Sequence, residues 1–161
     1  GIIMKTFFST CALLTLSTLS FADYHCNGSI QNRSIDDNVS INKNCQLDHV
    51  NIKGNVMLYQ GAQAVISNSS IDGNLESKGR FNSIVARDNR IDGNIQLEEG
   101  QTIQLNSNQV EGDIQLKKNT QKIVVSDNVI DGNLQCESNR IQPTGGNNRV
   151  DGNKEDQCRR L

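Results

Sequence analysis

Carboxylates recur along this chain at nearly fixed intervals: Asp36, Asp72, Asp92, Glu111, Asp131 and Asp151, with Lys53 where another would fall. If the fold stacks these positions, the ladder repels itself unless a hard cation bridges it, and carboxylate oxygens are the ligands that Ca²⁺ takes. Asp72, Asp92, Glu111 and Asp131 are therefore the candidate metal ligands, and calcium is the one candidate cofactor. The plainer reading is that Asp before Gly is ordinary turn chemistry on a solvated edge. It is preferred, because Lys53 interrupts the ladder and Glu111 changes its reach. The Gly-Gly-x-Gly-x-Asp nonapeptide of calcium-binding β-rolls is also absent.

Other chemistry is thinner. His25 and His49 form no Cys/His metal spacing, and no nucleophile, histidine and carboxylate cluster together, so no catalytic residue is assigned and no enzyme is expected. Lys+Arg 16 against Asp+Glu 18 leaves a net charge of −2, which argues against a nucleic-acid partner held by phosphate charge. Past residue 22 the only Phe, Tyr or Trp residues are Tyr24, Tyr59 and Phe81, thin provision for a carbohydrate platform; Tyr59 and Phe81 are expected to pack or cap. Thr102, Thr120 and Thr144 are too few for a stacked Thr-x-Thr ice-binding ladder.

The start reads as an export signal: Lys5 after Met4, an apolar run from Phe7 to Leu19, then Ser20-Phe21-Ala22 as a small-x-small cleavage site. Residues 1–22 are taken as upstream residues plus signal peptide and 23–161 as one domain, without a membrane span and located in the periplasm, at the cell surface or outside the cell. Cys11 leaves with the leader. Cys26, Cys45, Cys136 and Cys158 remain, an even number that suits disulfides in an oxidising compartment.

What must position all these residues is a repeat. Ile35-Asp-Asp-Asn, Ile52-Lys-Gly-Asn, Ile71-Asp-Gly-Asn, Ile91-Asp-Gly-Asn, Val110-Glu-Gly-Asp, Ile130-Asp-Gly-Asn and Val150-Asp-Gly-Asn start 17, 19, 20, 19, 20 and 20 residues apart. That period is too short for two-helix repeats. Four residues after each start stand Val39, Val56, Leu75, Ile95, Ile114 and Leu134, and two further on Ile41, Leu58, Ser77, Leu97, Leu116 and Cys136. The alternation has period two, that of a strand with one buried face, and Ser40, Met57, Glu76, Gln96, Gln115 and Gln135 between them point outward. A second strand before each start carries Ala64, Ile84, Ile103 and Ile123 inward, then Leu47, Ile66, Ala86, Leu105 and Val125.

The fold expected is all-β, a single-stranded right-handed parallel β-helix of about seven coils with 19–20 residues per coil. At ~4.8 Å per rung the rod is about 34 Å long. The chain holds 21 Asn, and two columns concentrate them. One is Asn38, Asn55, Asn74, Asn94, Asp113, Asn133 and Asn153; the other is Val50, Ser69, Asn89, Asn108, Asn128 and Asn148. Stacked amides can bond one another up a rod, and Asn tolerates positive φ. Cys26 and Cys45 are 19 residues apart and Cys136 and Cys158 are 22 apart, each about one coil, so each pair can sit on adjacent rungs. A Cys45–Cys136 bridge would span several coils. The expected bonds are Cys26–Cys45 and Cys136–Cys158, pinning the two ends.

Units such as Ile91-Asp92-Gly93-Asn94-Ile95-Gln96-Leu97 resemble the coils of bactofilins, bacterial β-helices that polymerise end to end without nucleotide. The closing stretch, Asn133-Leu134-Gln135-Cys136, Gly145-Gly146-Asn147-Asn148-Arg149-Val150-Asp151-Gly152-Asn153-Lys154 and Gln157-Cys158, resembles a group of exported bacterial repeat proteins. The leader, the disulfides and the charged end Lys154–Leu161 depart from bactofilins. Function is expected to be that of an exported structural or surface-interaction module. The alternatives are a filament subunit that self-associates into a polymer, and a cation-dependent glycan binder or degenerate polysaccharide lyase.

Overall fold

The computed structural model describes residues 22–161, so the proposed leader, with Cys11, lies outside the described residues except for Ala22. The alternating repeats leave each strand one apolar face to cover, and each repeat covers it by closing into a coil on the previous one. All inter-coil pairings are parallel. Among the described residues there are eighteen strands and no helix. The first two coils are built around long strands, β1 (Tyr24–Ile35) and β2 (Val39–Ile52). From the third coil on, each coil breaks into three strands. Face 1 stacks Val56–Leu58, Leu75–Ser77, Ile95–Glu98, Ile114–Lys117 and Leu134–Glu137. Face 2 stacks Gln63–Ser67, Ser83–Arg87, Thr102–Asn106, Ile123–Ser126 and Thr144–Gly146, and face 3 the two-residue strands from Ser70–Ile71 to Arg149–Val150. About seven coils result, as the repeat count requires.

The core is one aliphatic column bundle. Val39, Val56, Leu75, Ile95, Ile114 and Leu134 are all 0% exposed, as are Leu47, Ile66, Ala86, Leu105 and Val125 on face 2. Of the intervening residues expected to point out, Ser40 and Met57 are nonetheless buried. His25, beside Ser40 in the preceding coil, covers it through a hydroxyl–imidazole contact, and Tyr59 covers Met57 with its hydroxyl 3.9 Å from the sulfur.

Both expected disulfides are present, with Cα separations of 5.7 Å for Cys26–Cys45 and 5.2 Å for Cys136–Cys158. The register around the first is less simple than the spacing suggested. It shifts between Cys26 and Gly28, where Asn42, Lys43 and Asn44 face Asn27 alone, so Cys45 stands beside Gly28 and bridges back to Cys26 across the bulge.

Each end of the rod carries polar cover. Arg33, beside Val50 in an otherwise inward column, lies 5.1 Å from the centroid of the Tyr24 ring and donates to the tyrosine hydroxyl at 3.3 Å. At the other end Cys158, Arg159 and Leu161 donate from their backbone N–H groups to Glu155, Asp156 and Cys158, forming a turn that brings Leu161 onto the core at 8% exposure.

The two aromatics expected to pack or cap divide between those roles. Phe81 is 0% exposed, whereas Tyr59 is 37% exposed. Gly100 of the next coil makes room for Phe81, since a Cβ there would strike the ring. Phe81→Leu removes part of that ring volume and should cost roughly 1–2 kcal/mol, a fraction of the 3–5 typical of Phe→Ala in a core. Gly100→Ala alone should destabilise by steric overlap, and the double variant should be more stable than the sum of the two effects, measured by thermal melts.

Candidate functional site

Position two of the repeat forms an exposed edge where face 3 turns into face 1. The turn is short because glycine follows. Successive glycines touch through their backbones, with Gly73 N–H on Gly54 O and Gly93 N–H on Gly73 O, and a Cβ on Gly73 would collide with both Gly54 and Asn55. Asp72, Asp92, Glu111 and Asp131 therefore project in register, as the sequence implied. Basic side chains stand among them. Lys53 lies 3.6 Å from Asp72, and Arg90 donates to Asp92 at 2.9 Å and also to Glu111, so that one guanidinium spans two rungs. Its hydrogen bond to the Asp92 carboxylate raises the Arg90 pKa above its ordinary value. Among the described residues no three His, Cys, Asp or Glu side chains converge as a metal set would. Millimolar Ca²⁺ should leave the melting temperature unchanged, and an Asp72/Asp92/Asp131→Asn variant should melt within about a degree or two of the parent without calcium, since relief of like charges is offset by loss of the exposed Lys53 and Arg90 ion pairs. A calcium-dependent rise lost in the variant would instead identify a cation site.

The two asparagine columns do different work. In the column of Asn89, Asn108, Asn128 and Asn148, side-chain amides bond one another: Asn89 Nδ2 to Asn108 Oδ1, Asn108 Nδ2 to Asn128 Oδ1 and Asn128 Nδ2 to Asn148 Oδ1, each 3.0 Å. Each Nδ2 also donates to a core-strand carbonyl, and each Oδ1 accepts the backbone N–H of the preceding coil, as Asn128 does with Leu105 O and Asn108 N. Position four works otherwise, correcting the amide-to-amide expectation there. Asn74 Oδ1 accepts Asn94 N–H, Asn94 Oδ1 accepts Asp113 N–H and Asp113 Oδ1 accepts Asn133 N–H, at 2.7–2.8 Å. Only an acceptor is needed, so Asp113 fits.

A third ladder escaped the sequence reading. Asn119 Nδ2 donates to Asn139 Oδ1 at 3.0 Å, and Asn139 Nδ2 to Gln157 Oε1 at 3.0 Å. Gln157 closes it, also accepting Asn139 N–H and returning Nε2 to Asn139 O. The signal was the column nine residues after the starts at Val110 and Ile130, but Gly100 occupies its preceding rung. Positive φ also falls elsewhere than expected, on the exposed neighbours His49, Asn68, Asp88, Ser107, Asp127 and Asn147.

Neither histidine gathers a site. His25 Nδ1 meets the Ser40 hydroxyl, and His49 Nδ1 lies 3.1 Å from Asp48. Donation from Asn68, then His49, holds the Asp48 carboxyl below its usual range. Its small contribution to stability is thus present above about pH 4 and lost as acidification protonates it. No helix among the described residues is long and apolar enough to cross a membrane. Comparison with known proteins finds no matching family model, curated protein or solved structure.

Proposed function

We propose that this chain is an exported, non-enzymatic β-helix whose rigid rod serves as a structural or surface-interaction module. The observation that supports the reading is the polar cover on the first and last described coils. Terminal coils with a polar outer face are what a free-standing solenoid needs, and here Arg33 covers Tyr24 at one end while the Leu161 turn and Gln157 close the other. Head-to-tail stacking would set Arg33 of one rod over Asn148 of the next, a donor where the ladder needs an acceptor. This disfavours the filament alternative.

Near-constant coil length leaves no long insertion from which a catalytic groove would be built, and the amides of the two buried Asn ladders are taken up by neighbouring coils. Two disulfides within one small domain suit an oxidising compartment outside the cytoplasm. Electron microscopy and sizing of the purified chain from Asp23 onward test the reading: a small discrete particle is expected, and filaments would overturn it in favour of the polymer.

A further inference from the structure

The corner between faces 1 and 2 alternates in charge coil by coil. The fourth coil presents Lys78 and Arg80, the fifth Glu98 and Glu99, the sixth Lys117 and Lys118, and the seventh Glu137. Arg140 stands past the buried Asn139, toward face 2. Part of this charge is matched within the rod, Lys78 to Glu76 at 3.1 Å, Arg80 to Glu99 at 3.8 Å and Lys117 to Glu137 at 3.6 Å. Among the described residues the Glu98 carboxylate and the Lys118 ammonium have no ion-pair partner, and both residues are exposed.

We propose that this corner recognises a second copy of the chain, set antiparallel about a twofold axis between the fifth and sixth coils. The order plus, minus, plus, minus is self-complementary about that axis. Glu98 and Glu99 face the partner's Lys117 and Lys118, and Lys78 and Arg80 face the partner's Glu137. Rungs of both rods share the ~4.8 Å spacing, so each of the fourth to seventh coils meets a coil of opposite sign. Parallel rods in register would place like on like, which costs free energy and excludes that arrangement. Parallel rods staggered by one coil match three of these charged coil pairs, against four in the antiparallel arrangement, which is therefore favoured. The inference rests on the rod being a discrete interaction module, and it fails separately: filaments overturn the module, whereas a strict monomer overturns only the corner.

Sedimentation equilibrium of the purified chain at low and high salt is the test. A dimer is expected at submillimolar concentration, weakening as salt screens it. Lys117→Glu/Lys118→Glu should weaken self-association at least about tenfold, because the fifth and sixth coils then repel. Adding Glu98→Lys/Glu99→Lys should restore dimerisation to within about threefold, since the order plus, plus, minus, minus is still complementary about the twofold. The same order destroys the staggered match. Circular dichroism checks that each variant is folded, and zero-length carbodiimide coupling of mixed ¹⁴N and ¹⁵N parent chains should join Glu98 or Glu99 to Lys117 or Lys118 between chains. A monomer at low salt, open-ended oligomers, or no rescue in the fourfold variant would each overturn the proposal.

Discussion

Ile95→Asp should abolish cooperative folding of the middle coils, whereas Gln96→Asp, one residue away, should melt within a degree or two of the parent. Ile95 is 0% exposed, between Leu75 and Ile114 in register. A carboxylate there leaves water without any partner and also removes the packing of an isoleucine, together at least about 5 kcal/mol and of the order of a small domain's whole stability. Because each coil contacts only its neighbours, the damage should spread outward from the fifth coil, with hydrogen exchange accelerated there first. Burial raises the pKa of such an aspartate, so the folded state binds a proton the unfolded state releases; stability should fall as pH rises and partly recover on acidification. Gln96 alternates to the outer surface, where its Nε2 lies 3.5 Å from Gln115 Oε1. Equal melting temperatures for the two variants would refute the inward and outward columns.

Asn128→Asp should be nearly as damaging, although it replaces one heavy atom by another of similar size. Asn128 is 0% exposed and uses all of its amide, two donations to Leu105 O and Asn148 Oδ1 and two acceptances from Asn108. A carboxylate keeps the acceptances, loses both donations, and turns oxygen toward two oxygens while burying a charge. The expected loss is about 4 kcal/mol, from unsatisfied buried groups and an unpaired charge. Asn94→Asp is the matched control. There only Oδ1 is engaged, and Asp113 already fills the same column with the same bond. It should change stability by no more than about 0.5 kcal/mol. Thermal and denaturant melts of the two variants decide it; similar losses would mean that the columns are bonded alike.

Much of this architecture is legible along the chain because one repeat is one coil. Wherever the period holds, a residue's neighbour above is the residue about twenty positions on, so the alternation at Ile91, Ile95 and Leu97 names the core and the period pairs Cys26 with Cys45 and Cys136 with Cys158. The acidic edge is legible for the same reason, as a column in the aligned repeats.

Tertiary structure alone decided what depends on exact register and on which atoms meet. Alternation says that a side chain points in or out; it does not say whether an inward amide will meet another amide, as Asn128 does, or a backbone N–H, as Asn94 does. Those outcomes follow from how far each corner brings adjacent coils together, which no periodicity in one chain segment encodes. Local departures were hidden likewise: the bulge at Asn42–Asn44, opposite Asn27, moved Cys45 beside Gly28, and the Phe81 and Gly100 pair occupied the column that becomes the Asn119, Asn139 and Gln157 ladder. Tyr59 and Phe81 look alike in composition, yet the corner of the third coil turns one out and the interior of the fourth takes the other. A residue's type and spacing determined which columns exist, and only the packed coils, through contacts about one repeat apart in sequence, determined what each column does.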